Sequence, residues 1–150
     1  MLSKPSAILV VEDNDEDINL IKRALNKCKF PVSTSVLRTG EAALDFVFCT
    51  GPYQERNPAD PIHLILLDLS LPKISGLEVL KILKSYARTR AIPTVVLSGS
   101  CSDTELTKAY ELGVNSYLCK TNSLELLVQQ TAFYWLTLNQ TAMNTSNAKV

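Results

Sequence analysis

Five short apolar runs, each followed by a stretch of helical spacing, constrain this chain more than any other feature. The runs are "AILVV" (7–11), "VSTSVL" (32–37), "HLILL" (63–67), "IPTVVLS" (92–98) and "NSYLCK" (115–120). After the first, Ile18, Ile21, Leu25 and Cys28 recur on one helix face. Asp15, Glu16 and Asp17 lie in its first turn, where carboxylates suit the helix dipole, and Pro31 stops it. Helices are predicted next over 40–48, over 75–86 with Leu77, Leu80 and Leu83 or Lys84 in register, and over 103–113, ended by Gly113. The last, 122–138, is long and amphipathic, with Leu124, Leu127, Val128, Thr131, Trp135 and Leu138 as its expected core stripe. Residues 50–61, with Pro52, Pro58, Pro61 and Gly51, read as a loop, and 141–150 as a polar, frayed tail.

Strands that alternate with helices pair in parallel and are covered on both faces. Right-handed crossovers leave a doubly wound α/β fold, and five strands suit the flavodoxin-like order 2-1-3-4-5. The 150 residues fit one domain around one core. Lys+Arg and Asp+Glu balance at 15 each, so no general pull toward nucleic acid or membrane is expected. No run reaches transmembrane length and no signal peptide is visible, which makes the cytoplasm the expected compartment. Cys28, Cys49, Cys101 and Cys119 have no metal-binding spacing and are expected to be thiols that behave as small hydrophobes. His63 reads as a strand-entry residue.

In open α/β sheets the chemistry sits outside the carboxyl ends of the strands. There the sequence places Glu12 and Asp13 after strand 1, Asp68 after strand 3, Ser98 after strand 4 and Lys120 after strand 5. Asp68 is expected just past the covered part of its strand, so that its charge stays out of the core. Carboxylates this close raise one another's pKa unless a cation sits among them, and oxygen ligands suit Mg²⁺. A carboxylate can accept a phosphoryl group, with a lysine and a hydroxyl to meet the phosphoryl oxygens. Each piece also has a plainer reading. Glu12 and Asp13 suit the N-terminus of a helix, Asp68 suits a cap, and Lys120 alone suits solvent. "LILLD" is similar to the metal-binding strand of P-loop NTPases, but no G-x-x-x-x-G-K-[ST] accompanies it.

Taken together, "VVEDN" (10–14), "LLDLSLPKISG" (66–76), "VVLSGS" (95–100) and "NSYLCK" resemble the receiver domain of two-component response regulators over roughly residues 6–130. "LILLDLSLPK", the Pro-rich loop and a final helix through "FYWL" are most similar to the small response regulators paired with cyanobacterial phytochromes. The resemblance implies a single receiver domain over 1–140. Asp68 would be phosphorylated by a sensor histidine kinase, of bacterial phytochrome type in the narrower likeness. Glu12, Asp13, Asp68 and the Ser70 carbonyl would hold Mg²⁺. Lys120 would pair with the phosphoryl group, Ser98 and Tyr117 would be the switch residues, and Pro72 and Gly76 would shape the loop after the acceptor. Thr121 stands where the family usually has proline. Gly99 after the switch serine predicts a phosphoryl group open to water and short-lived.

No second domain and no DNA-binding motif fits in the remainder. A partner face is expected on helix 4, strand 5 and helix 5, carried by Tyr110, Tyr117, Leu126 and Phe133, and a homodimer is expected as well. The expected function is a phosphoacceptor switch and not a turnover enzyme. An Mg²⁺-dependent phosphohydrolase and a docking receiver that is never phosphorylated are the alternatives.

Overall fold

The computed structural model describes the backbone of residues 4–148 and the side chains of residues 4–141. Five parallel strands, β1 (Ser6–Val11), β2 (Val32–Leu37), β3 (Leu64–Asp68), β4 (Thr94–Ser98) and β5 (Ser116–Cys119), form one sheet in the order β2-β1-β3-β4-β5. Between and after them lie α1 (Asp15–Asn26), α2 (Gly40–Phe48), α3 (Gly76–Ser85), α4 (Asp103–Glu111) and α5 (Leu124–Ala148). This is the doubly wound architecture the alternation predicts.

Strand periodicity divides the core in two. Ile8, Val10, Leu64, Leu66, Val95 and Leu97 face α1 and α5, where they meet Ile21, Leu25, Val128 and Leu136. Leu9, Val11, Ile65, Leu67 and Val96 face the other side, against Val47, Leu80, Leu83 and Ala109 of α2, α3 and α4. Leu64 to Leu67 are wholly buried because both faces of the central strand are covered. Each such side chain contributes about 2 kcal/mol of hydrophobic stabilisation.

Four helix starts are capped by the residue the sequence provides. Asn14, Thr39, Ser75 and Ser102 accept from the backbone N–H three residues on, at 2.9, 3.1, 3.2 and 3.2 Å. His63 enters β3 as expected, its Nδ1 accepting from the Ala7 N–H at 2.8 Å. Lys84 leaves the apolar stripe of α3. Its ammonium donates to the Arg90 and Ile92 carbonyls and to Asn115 Oδ1, all at 3.0 Å, fixing the approach to β4 and β5.

Several expectations are corrected. The loop at 50–61 contains a short 3-10 turn at Gly51–Tyr53. The tail is helical as far as Ala148, since residues 139–148 contain no glycine or proline to end α5; residues 149 and 150 lie outside the described part. The core stripe of α5 is Leu124, Val128, Ala132 and Leu136, a row of i+4 steps, whereas Leu138 is exposed. The small Ala132 carries this row past the bulkier Thr131 and Trp135.

The cysteines are not all thiols: Cys101 and Cys119 form a disulfide, while Cys28 and Cys49 are free. Their 18-residue separation carries no motif, but the pairing of β4 with β5 sets their Cα atoms 5.5 Å apart, inside disulfide range. Among the described residues no helix is long and apolar enough to cross a membrane.

Candidate functional site

The alternation that sorts the core also sorts the polar residues at the carboxyl edge. Glu12 and Asp68 continue the parity of Val10 and Leu66, and Lys120 that of Leu118, toward α1 and α5. Ser98 continues the parity of Val96, and Tyr117 packs with the α2–α4 layer. Two clusters result, one on each side of the sheet edge.

The first is ionic. Lys120 Nζ lies 2.8 Å from Glu12 Oε2, 2.9 Å from Asp17 Oδ2 and 3.2 Å from Asp68 Oδ1. Glu12 is fully buried and Asp68 is 2% exposed, whereas Asp13 is exposed. Asp68 is therefore inside the covered part of β3, not beyond it. Its charge is met by Lys120 and by the Ser70 N–H, which donates to Oδ1 at 3.1 Å. Ligand oxygens of Glu12, Asp13 and Asp68 lie within 4.8 Å of one another, a cluster able to hold a metal ion. Burial and the Asp68 charge push the Glu12 carboxyl up to about 7, against the pull of Lys120. For Lys120 burial opposes the charge, but the bonds to Glu12 and Asp17 and the Asp68 charge outweigh it and raise its pKa.

The second cluster is hydroxylic. Ser98, 1% exposed, donates from Oγ to Glu105 Oε1, and the Tyr117 hydroxyl donates to the same oxygen at 2.8 Å. The Ser100 N–H donates to Ser98 Oγ at 3.2 Å. Burial works to raise the Glu105 pKa, but these hydroxyl donors hold it below the usual range. Burial pushes the Tyr117 phenol up.

Glu12, Asp13, Asp68 and Lys120 are thus brought together as the sequence predicts, with Ser70 beside Asp68 through its N–H. Ser98 and Tyr117 are brought together as well, but through Glu105. Two residues escaped the sequence reading. Asp17 passed for a helix-dipole carboxylate. Glu105 sits in an S-x-x-E capping pattern with Ser102, whose Oγ accepts from the Glu105 N–H. That pattern marks the helix start and says nothing of where the carboxylate turns.

The expected partner face does not form one patch. Tyr110, 51% exposed, lies on α4, and Tyr117 is half-buried on β5. Leu126 and Phe133 instead line a groove with Lys27, Cys28 and Lys29, and Phe133 stacks on Phe30 with centroids 6.2 Å apart. With the α5 stripe at Leu124, Val128, Ala132 and Leu136, they turn toward the α1 side.

Around Asp68 the backbone is close-set. The Gly76 N–H donates to the Leu69 carbonyl at 3.1 Å, and a Cβ on Gly76 would run into the Asp68 carbonyl oxygen and lie 2.6 Å from Leu69 Cα. Gly99 meets nothing within 4 Å, so the space beside Ser98 is open. The Lys120–Thr121 bond is trans.

Comparison with known proteins identifies the family. The family model described as the response regulator receiver domain matches residues 8–132. The probable methanogenesis regulatory protein FilR2 of Methanothrix harundinacea is 43% identical over 139 residues, 91% of this chain and 87% of FilR2. Response regulator Rcp1 of Synechocystis is 39% identical over 88% of this chain and 90% of its own length. The Mn²⁺-bound crystal structure of Rcp1 superposes with a TM-score of 0.82, at 37% identity over 88% of this chain and 95% of that one. The phosphorylated cyanobacterial phytochrome response regulator RcpA gives 0.83, at 36% identity over 90% and 96%.

Proposed function

The chain belongs to the response regulator receiver family, and we propose that it is a single-domain phosphoacceptor switch whose acceptor is Asp68. The observation that carries this reading is the buried Asp68 carboxylate at the end of the central strand, 3.2 Å from Lys120 Nζ and clustered with Glu12 and Asp13.

In the proposed reaction an Asp68 oxygen attacks the phosphorus of a phosphohistidine on a sensor histidine kinase. The new P–O bond forms as the P–N bond breaks, and the electron pair leaves with the imidazole. Lys120 holds a fixed positive charge beside the incoming phosphoryl oxygens. The Ser70 N–H keeps the carboxylate oriented. Glu12, Asp13, Asp68 and the Ser70 carbonyl would hold Mg²⁺. Their fit is supported by the oxygen-only donor set and by a Glu12 carboxyl whose ionisation burial and Asp68 oppose. When bound, the cation supplies neutralisation of the charge gathered by three carboxylates and a phosphoryl group. Mn²⁺ in Rcp1 is consistent with a divalent site of this kind.

Phosphorylation adds about −1.5 to −2 charge at pH 7. Ser98 then leaves Glu105 to donate to a phosphoryl oxygen, which takes one of the two hydroxyl donors from Glu105 and loosens the carboxylate that holds Tyr117. The α4–β5 surface bearing Tyr110 and Tyr117 changes with them, and partners that distinguish the two states read the signal. The kinase is a bacterial phytochrome in this reading, supported by the likeness to the cyanobacterial phytochrome response regulator RcpA. A second copy of the chain is a further proposed partner, and the cytoplasm is the proposed compartment.

Incubation with acetyl phosphate and Mg²⁺ tests the function. At most one phosphoryl group per chain is expected, and none when a chelator withholds the cation during the incubation. Repeated turnover of phosphate esters would instead make the chain a phosphohydrolase, and no labelling would leave only a docking receiver.

A further inference from the structure

Cys101 and Cys119 occupy the two segments that must move if the chain switches. Cys101 lies between Ser98 and the α4 cap Ser102, three residues beyond the switch hydroxyl. Cys119 is the register partner of Ser98 on β5, two residues after Tyr117 and directly before Lys120. Their bond closes a loop that contains all of α4, including Glu105, the residue that holds both switch side chains. Cys101 is exposed and adopts φ 52°, in the left-handed region, and its Sγ lies 3.4 Å from the Ser98 carbonyl oxygen. Cys101 is therefore the more open residue of the pair. Cys28 and Cys49 take no part.

We propose that Cys101–Cys119 is a reversible redox modification site whose disulfide form staples the β4–α4 loop to β5 and holds the switch off. The staple joins the ends of α4's surroundings in the arrangement where Ser98 donates to Glu105. Reduction releases the loop from β5. In a reducing compartment protein disulfides are typically transient and redox-sensing, which fits a pair with one exposed and one half-buried member beside the proposed switch.

The oxidant is a low-molecular-weight disulfide. The Cys101 thiolate, having lost its proton to solvent, attacks one sulfur of that reagent, whose S–S bond breaks and releases one thiolate. The Cys119 thiolate then attacks the Cys101 sulfur of the mixed disulfide and expels the second thiolate. Two protein thiols are oxidised by two electrons, and one small disulfide is reduced to two thiols.

The gating effect rests on the phosphoacceptor reading, so its test reports on each separately. The full chain is equilibrated in oxidised or reduced glutathione, alkylated, and mapped by peptide mass. A Cys101–Cys119 cross-linked peptide is expected after oxidation, absent after reduction, with Cys28 and Cys49 alkylated in both. The rate of labelling by acetyl phosphate with Mg²⁺ is then measured on both forms by intact mass. The oxidised form is expected to label about tenfold more slowly, as its competent population falls, and to recover on reduction. C101S and C119S should label at the reduced rate under both conditions. Thiols that stay free at every glutathione ratio overturn the proposal, and so do equal rates for cross-linked and reduced protein. If reduced wild-type protein does not label at all, the phosphoacceptor reading fails and the gate with it, whatever the peptide map shows.

Discussion

The Tyr117 hydroxyl donates at 2.8 Å to Glu105 Oε1, the oxygen that also accepts from Ser98. One carboxylate on the first turn of α4 thus holds both side chains proposed to switch, and in that proposal it competes with a phosphoryl oxygen for the Ser98 proton. Glu105→Ala removes the competitor. The beryllofluoride concentration for half-saturation, with Mg²⁺ present, should fall about three- to tenfold, as a larger share of the protein is ready to bind. An unchanged or weaker midpoint would show that Glu105 does not oppose switching.

Gly76 is required for a different reason. A methyl group there meets the Asp68 carbonyl and Leu69 Cα, both backbone and unable to move aside cheaply. Gly76→Ala should cost about 1–3 kcal/mol, the usual range for forcing an atom into a packed site. Urea unfolding measures this directly. Wild-type stability in the variant would mean that α3 can shift away from β3 without loss.

The raised Glu12 carboxyl gives a pH signature. Its pKa is near 4.5 when unfolded and about 7 in the folded chain without a divalent cation. Between these values the folded form binds a proton that the unfolded form has lost, so stability from this group is present at low pH and disappears as pH rises through 7. In chelator, the melting temperature of Glu12→Gln should therefore gain on wild type between pH 5 and pH 8. Mg²⁺ binding to wild type should release a proton below pH 7. Parallel melting curves across this range would contradict a raised Glu12.

The open space at Gly99 predicts a labile phosphoryl group, because water approaches from that side. Gly99→Met places an apolar side chain there. The half-life of the phosphorylated variant should lengthen roughly threefold or more, as expected when water is excluded from a reacting centre. A shorter or equal half-life would place the attacking water elsewhere.

The sequence was most readable where period alone decides structure. Leu64 to Leu67 announce a strand covered on both faces, and Ile18, Ile21 and Leu25 announce one helix face. The ionic cluster was readable too, because topology forces the ends of β1, β3 and β5 to one edge. What could not be read depends on side-chain direction and on pairing across distance. Glu105 and Asp17 look like ordinary first-turn carboxylates until the sheet edge brings Ser98 and Lys120 to them. Cys101 and Cys119 are 18 residues apart and meet only through β4–β5 pairing. The burial of Asp68 is not legible in the sequence for a related reason, since the Lys120 side chain that lies against it comes from the end of β5. On α5, apolar residues occupy more than one face, so periodicity alone did not fix which of them, Leu126 and Phe133 included, face outward and in which direction.

The most direct test of the account is the site of the phosphoryl group. Wild-type protein and Asp68→Asn are incubated with acetyl phosphate and Mg²⁺, and the modified residue is trapped by borohydride reduction and located by peptide mass. The account predicts modification at Asp68 alone and none in the variant, with Asp68→Asn still folded by circular dichroism. Label retained in Asp68→Asn, or found on another residue of the wild-type chain, would contradict it.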